Sequence, residues 1–234
     1  MNPDDPNVRM VDIVAARLGA LREHMVFVGG CAAGLLITNP APPPIHPTRN
    51  VDVVVEAETL ADYHRMEKSV ASAGFQRDGR EGAPAGRWRL AEGVLDLMPS
   101  EANILGFANR WYPLAVSTAG RVALPSGTQI RLIRAPVFIA TKLDGFLERA
   151  AGNFLMSPDL GDALAIVDGR DELLAEFADL GWKLARRVGD AVAKLLATAR
   201  FRDYLPGHLP GDEASQARLP MLEARLQRLA ALAG

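Results

Sequence analysis

The chain has 234 residues, 49% of them hydrophobic and 23% charged, ordinary proportions for a soluble globular protein with a buried core. Its 26 basic and 28 acidic residues leave a formal net charge of −2, so bulk charge does not mark a nucleic-acid binder, although a local basic face is compatible with it. The single cysteine, Cys31, excludes an intramolecular disulfide. The acidic start Asn2-Pro3-Asp4-Asp5 is no signal peptide, and no apolar run approaches the roughly 18–20 residues of a membrane span. A cytoplasmic protein without a membrane partner is expected.

Apolar residues recur at helical spacing over Val8 to His24, and Met25 to Val28 reads as a short buried strand. After Gly29-Gly30 a helix is expected over Cys31 to Ile37, then a proline-stiffened loop from Asn39 to Pro47. Val51 to Val55 is a strand, rich in β-branched residues, and Leu60 to Ala73 a helix ending near Gly74. Phe75 to Gln76 starts a strand. Arg87 to Leu90 and Val94 to Met98 form a hairpin turning at Glu92-Gly93. Further strands are expected at Leu114 to Ser117, Arg121 to Leu124 and Gln129 to Ile133. Helices follow at Val137 to Arg149, Asp159 to Val167, Asp171 to Leu180, Trp182 to Arg200 and Asp212 to Leu232. The chain therefore divides into an α/β core, residues 1–135, and a helical C-terminal region, residues 136–234, that contributes to the site.

The chemistry gathers in the first part. A hydrophobic strand ending in Gly29-Gly30 leaves backbone N–H groups for a phosphate. The next strand is apolar on both faces, yet carries Asp52, and a carboxylate inside such a strand is costly unless paired or bound to metal. Pairing with a nearby arginine such as Arg49 is the plain alternative. Asp96 repeats the situation in Val94-Leu95-Asp96-Leu97-Met98; its plain alternative is a half-exposed edge strand. Two such acids brought together need a cation, and Mg²⁺ is the usual one. Lys142 lies inside the apolar stripe of its helix, where it either snorkels to solvent or serves a buried anion such as a triphosphate. Asp159 and Asp162 share a helix face, with Asp159 also suited to cap the helix. A dinucleotide fingerprint over Gly29 to Gly34 fails at Cys31. The four histidines lack metal-ligand spacing.

These segments resemble the bacterial AbiEii-type nucleotidyltransferases, which include toxin components of toxin–antitoxin and phage-defence systems. The matching stretches are Phe27-Val28-Gly29-Gly30, Thr48 to Glu56, Leu95-Asp96-Leu97-Met98-Pro99, Ile104-Leu105-Gly106-Phe107, Asn109 to Pro113, Ala140-Thr141-Lys142-Leu143, Ser157 to Asp162 and Val167 to Arg170. The resemblance implies a polymerase-β-like nucleotidyltransferase core, a mixed sheet flanked by helices, followed by a helical region. It implies an NTP on Gly29 and Gly30, and Mg²⁺ or Mn²⁺ on Asp52 and Asp96 with Asn50 as a weak ligand. It also implies Lys142 against the phosphates and Asp162 as a further catalytic acid. The implied activity is transfer of a nucleotide from NTP to an acceptor such as the 3′ end of tRNA or a protein, with an antitoxin encoded nearby as a partner.

The departures fall at the site. Asn50 stands where the family has the first acid of Asp-x-Asp, Gly161 where Glu is common, Pro158 where His is common, and Asn153 where Asp is frequent. A neutral carbonyl in place of an anion weakens metal binding. The alternative reading is a member of the same fold that still binds nucleotide and no longer catalyses efficiently. An interaction protein working through the C-terminal stripe Leu219, Leu222, Leu226, Leu229 and Leu232 is a third.

Overall fold

A computed structural model describes residues 4–39, 45–106, 108–149 and 152–234. The expected proline run at 40–44 and the matched Phe107 lie outside the described residues. The chain forms two compact units, one comprising residues up to Leu35 with Pro47–Arg134, the other Leu36–His46 with Ala135–Gly234.

The first unit is built on a mixed seven-stranded sheet with helices alongside. Its strands are β1 (Met25–Val28), β2 (Val51–Val55), β3 (Gln76–Arg77), β4 (Arg87–Arg89), β5 (Val94–Pro99), β6 (Gly120–Ala123) and β7 (Gln129–Leu132), in the order β3-β4-β5-β2-β1-β7-β6. β2 is central, antiparallel to β1 and parallel to β5. Its valines 51, 53, 54 and 55 are fully buried, which is why the strand reads as a continuous β-branched run. The helix α1 (Pro6–Leu18) starts where Asp5 accepts from the Asn7 N–H at 2.8 Å and Pro6 supplies a preset φ. It buries Val8, Val11, Val14, Ala15 and Leu18, each apolar side chain contributing roughly 1.5–3 kcal/mol on transfer from water. The helix α2 (Leu60–Ser72) opens with a reciprocal capping box between Thr59 and Asp62.

The expected strand at Leu114 to Ser117 is instead part of a helix, α3 (Tyr112–Thr118). Asn109 Oδ1 accepts from the Trp111 N–H at 3.0 Å and turns the chain, and Pro113 occupies the first helical turn, where no N–H is needed. A short apolar run has no period of its own to separate strand from helix.

The second unit is helical. Its main helices are α4 (Ala135–Arg149), α5 (Pro158–Gly169), α6 (Trp182–Ala197) and α7 (Leu219–Ala230). Every residue of α5 from Leu160 to Gly169 is buried, so this helix forms the centre of the unit. α6 is one-sided and buries Leu184, Val188, Ala191, Val192 and Leu195. The expected helix from Trp182 to Arg200 is broken at Thr198, which is extended, before a short helix at Ala199–Tyr204. The stretches expected as helices over 171–180 and 212–232 also shorten, to Leu173–Phe177 and to Glu213–Gln216 followed by α7. Leu222, Leu226 and Leu229 are buried within the unit, so the apolar stripe of α7 packs on its own core. Among the described residues no helix is long and apolar enough to cross a membrane.

Candidate functional site

In the sheet unit, parallel pairing sets Asp52 of β2 opposite Asp96 of β5, and antiparallel pairing sets Val28, the last residue of β1, opposite Asp52. The chain then turns at Gly29, whose φ of 70° lies in the left-handed region, and enters a single 3-10 turn at Gly30–Ala32. A Cβ on Gly29 would collide with the Asp52 carboxylate, so only glycine lets the turn lie against that acid. Gly29, Asp52 and Asp96 thus meet in one place. β5 lies between β4 and β2, and Asp96 is buried to 9% exposure, so the edge-strand alternative for it does not hold.

Asn50 sits between the two acids. Its Nδ2 donates to Asp52 Oδ1 at 2.6 Å and to Asp96 Oδ2 at 2.9 Å. The loop that presents it is fixed from both sides. Thr48 Oγ1 donates to the Asn50 carbonyl at 2.7 Å, and the Thr48 N–H donates to Oδ1 of the buried Asn7 at 2.9 Å. Across the hairpin, Arg87 of β4 lies in register with Asp96 and grips it with two parallel bonds of 2.7 Å, from Nε to Oδ1 and from an Nη to Oδ2. The bond to Asp96 raises the Arg87 pKa against the opposing effect of burial, and Asp52 adds to the rise from further off.

This donor set does not fit a two-metal centre. Magnesium takes oxygen ligands in near-octahedral array. Here an amide NH₂ faces both carboxylates, and a guanidinium fork covers Asp96. An ion between the acids would meet N–H hydrogens, and Asn50 would have to rotate its carbonyl inward to bind it. Among the described residues no three His, Cys, Asp or Glu side chains cluster as metal ligands do.

Lys142 and Asp162 belong to the helical unit. Lys142, on α4, does not snorkel. Its Nζ lies 2.7 Å from Asp162 Oδ2 and 3.1 Å from Asp159 Oδ1, both on α5. Arg149 bonds the other Asp159 oxygen at 2.6 Å. Burial would lower the Lys142 pKa, but the two carboxylates outweigh it and hold the ammonium above its ordinary value. Burial raises the Asp162 pKa against the pull of Lys142. Asp162 Oδ1 accepts no hydrogen bond, and His46 Nδ1 stands 4.0 Å from it. Gly161 permits that approach, since a Cβ there would meet the His46 ring at 2.7 Å. The anions that Lys142 serves are therefore side chains of its own unit. Ser157 caps α5 by accepting from the Leu160 N–H, leaving Asp159 free of that duty.

Sequence reading missed Arg87, Thr48 and Asn7. Arg87 had only a partial signal: a turn at 92–93 sets Arg89 opposite Asp96, whereas the turn closes between Leu90 and Gly93 and brings Arg87 there. Asn7 and Thr48 had none, being joined across 41 residues.

No protein-family model matches the chain, and no curated protein matches it. Among solved structures it is similar to a protein described as a candidate nucleotidyltransferase from H. pylori, with 13% identity and a TM-score of 0.44 over 98% of this chain and 94% of that one. A likeness at that distance says nothing of activity.

Proposed function

We propose that the protein binds a nucleotide at the Gly29–Asp52–Asp96 site, as a nucleotidyltransferase-type protein with much weakened transfer chemistry. The observation that carries this reading is the Asn50 amide lying between Asp52 and Asp96, with Arg87 closed on Asp96. Two bare carboxylates beside a glycine turn would repel a phosphate. Here Arg87 cancels the charge of Asp96, and the amide hydrogens of Asn50 offset part of that on Asp52, so the turn can accept an anion. The same arrangement leaves no free acid at position 50 to act on an attacking hydroxyl.

Calorimetry with each NTP, with and without Mg²⁺ or Mn²⁺, tests binding. Labelled NTPs offered with RNA and protein acceptors test transfer, for the wild type and for Asn50→Asp. We expect NTP binding by both proteins, and a gain of about tenfold or more in metal affinity and transfer in the variant. Wild-type transfer at or above the rate of Asn50→Asp sinks the reading, as does absence of NTP binding in both.

The in-register placement of Asp52 and Asp96 on neighbouring parallel strands favours a second reading, which requires Asn50 to turn its carbonyl inward: metal-dependent transfer to an RNA such as the tRNA 3′ end or to a protein. The acceptor hydroxyl would attack the α-phosphate and pyrophosphate would leave. The same rate comparison separates the two.

A further inference from the structure

A second cleft of about 580 Å³ lies at the β3 edge of the sheet, lined by Gly74, residues 76–80, residues 89–92 and Arg17 near the end of α1. Four guanidiniums reach it, from Arg17, Arg77, Arg80 and Arg89, all exposed, against two carboxylates, Asp78 and Glu92. Two of the four are held by buried acids. Arg77 donates to Glu67 at 2.8 Å and to the Ala85 carbonyl at 2.8 Å, and Arg80 forks onto Asp78 with bonds of 2.8 and 2.5 Å. Arg17 and Arg89 form no ion pair among the described residues. Arg89 acts on Asp78 only from a distance. Arg17 leans toward Gly74 beyond the end of α2, where helix carbonyls attract a cation and account for only one of the two. The apolar side chains on the lining are Leu90 and Ala91, so no aromatic face is present to hold a base or a ring.

We propose that this cleft binds the phosphate backbone of a single-stranded nucleic acid, with Arg17 and Arg89 supplying the charge that meets the phosphates and Arg77 and Arg80, already paired to Glu67 and Asp78, shaping the cleft as fixed hydrogen-bond donors. Guanidiniums match phosphate oxygens in forked pairs, and several in one open cleft suit a chain of phosphates better than a single one. With no apolar wall for a base, a free nucleotide would be held by its phosphates alone. The site is separate from the Gly29–Asp52–Asp96 site and does not depend on nucleotide binding there.

The test is fluorescence anisotropy of the full chain with labelled RNA and DNA strands of roughly 12 nucleotides, titrated between about 50 and 200 mM salt. The double variant Arg17→Ala/Arg89→Ala removes two charges. Arg186→Glu, at an exposed site on α6, changes net charge by the same amount elsewhere. We expect strand binding that weakens steeply with salt, a loss of about tenfold or more in the double variant with a shallower salt slope, and a change within about twofold in Arg186→Glu. Lysine at both positions keeps the charge without the fork and should recover only part of the loss. The proposal is overturned if the wild type binds no strand at low salt, or if the control loses as much as the double variant. It also fails if ATP or polyglutamate competes as well as an unlabelled strand, which would assign the cleft to a nucleotide or an acidic peptide.

Discussion

Lys142 is the residue whose environment differs most from its plain reading, and its removal is the sharpest test of the helical unit. One ammonium stands between two carboxylates, with side-chain exposures of 11% for Lys142 and 4% for Asp162. Breaking a buried pair from one side costs about 3–5 kcal/mol, because the charge left behind has no partner. Lys142→Met should lose stability on that scale, while adding Asp162→Asn should restore much of it; urea unfolding of the single and double variants measures both. The pH dependence follows from sign. Burial already raises the Asp162 pKa, so the folded state holds that proton more tightly than the unfolded chain does. Such a group favours folding below the ordinary carboxylate value and loses that contribution as pH rises through its folded pKa. Without Lys142 the folded pKa moves further up, so the variant should be more stable near pH 5 than near pH 8, by thermal melts. An equal loss at both values would mean that Lys142 acts through packing alone.

At the scale of elements, the β3–β4 hairpin is held at its turn by Asp78. Its N–H donates to the Arg87 carbonyl at 3.0 Å, and its carboxylate takes the Arg80 fork. The hydrogen bonds from Arg80 hold the Asp78 pKa down at about 2. A depressed folded pKa adds stability above the unfolded value and loses it as pH falls through the folded one, so this contribution should fade between about pH 4 and pH 2. Asp78→Asn should lower stability at pH 7 and cost progressively less as pH falls through that window, flattening the acid limb of the stability curve; circular dichroism along an acid titration reads it. The valine strand and the two lone acids are local patterns, and the sheet realises them in β2 and β5, but the β4–β5 turn closes between Leu90 and Gly93 rather than at 92–93, which sets Arg87 instead of Arg89 opposite Asp96. The partners that decide the chemistry are not local. Asn50 was legible as a departure, but that its amide would bridge two strands depends on the register of β2 with β5, which no short window encodes. The short apolar run Leu114 to Ser117 has no period of its own to separate strand from helix, and the features that decide for the helix at Tyr112–Thr118, Asn109 and Pro113, lie outside it.

At the scale of the whole chain, the helical unit is not a contiguous stretch, because residues 36–46 belong to it together with 135–234. The joint is made of backbone bonds, a Thr38–Glu172 contact and one arginine held by Glu176. The N–H groups of Thr38 and Asn39 both donate to the Gly169 carbonyl at 3.0 Å, and Thr38 Oγ1 donates to Glu172 at 2.9 Å. Arg170 reaches the Leu36 carbonyl at 2.6 Å while its remaining nitrogens bond Glu176 at 2.8 and 2.5 Å. Arg170 and Glu176 have side-chain exposures of 18% and 20%, so water replaces these bonds poorly. Arg170→Ala leaves a carbonyl and a carboxylate without their donor at the end of the central helix α5. Charged hydrogen bonds of this kind contribute about 1.5–3 kcal/mol each, so a loss of that order in unfolding free energy is expected. The position of the loss distinguishes this joint from a general weakening. Amide hydrogen exchange should rise first at Thr38 and Asn39 and at the end of α5, while β2 and β5 of the sheet unit keep their protection. Uniformly faster exchange across the sheet in Arg170→Ala would show that the two units do not open independently.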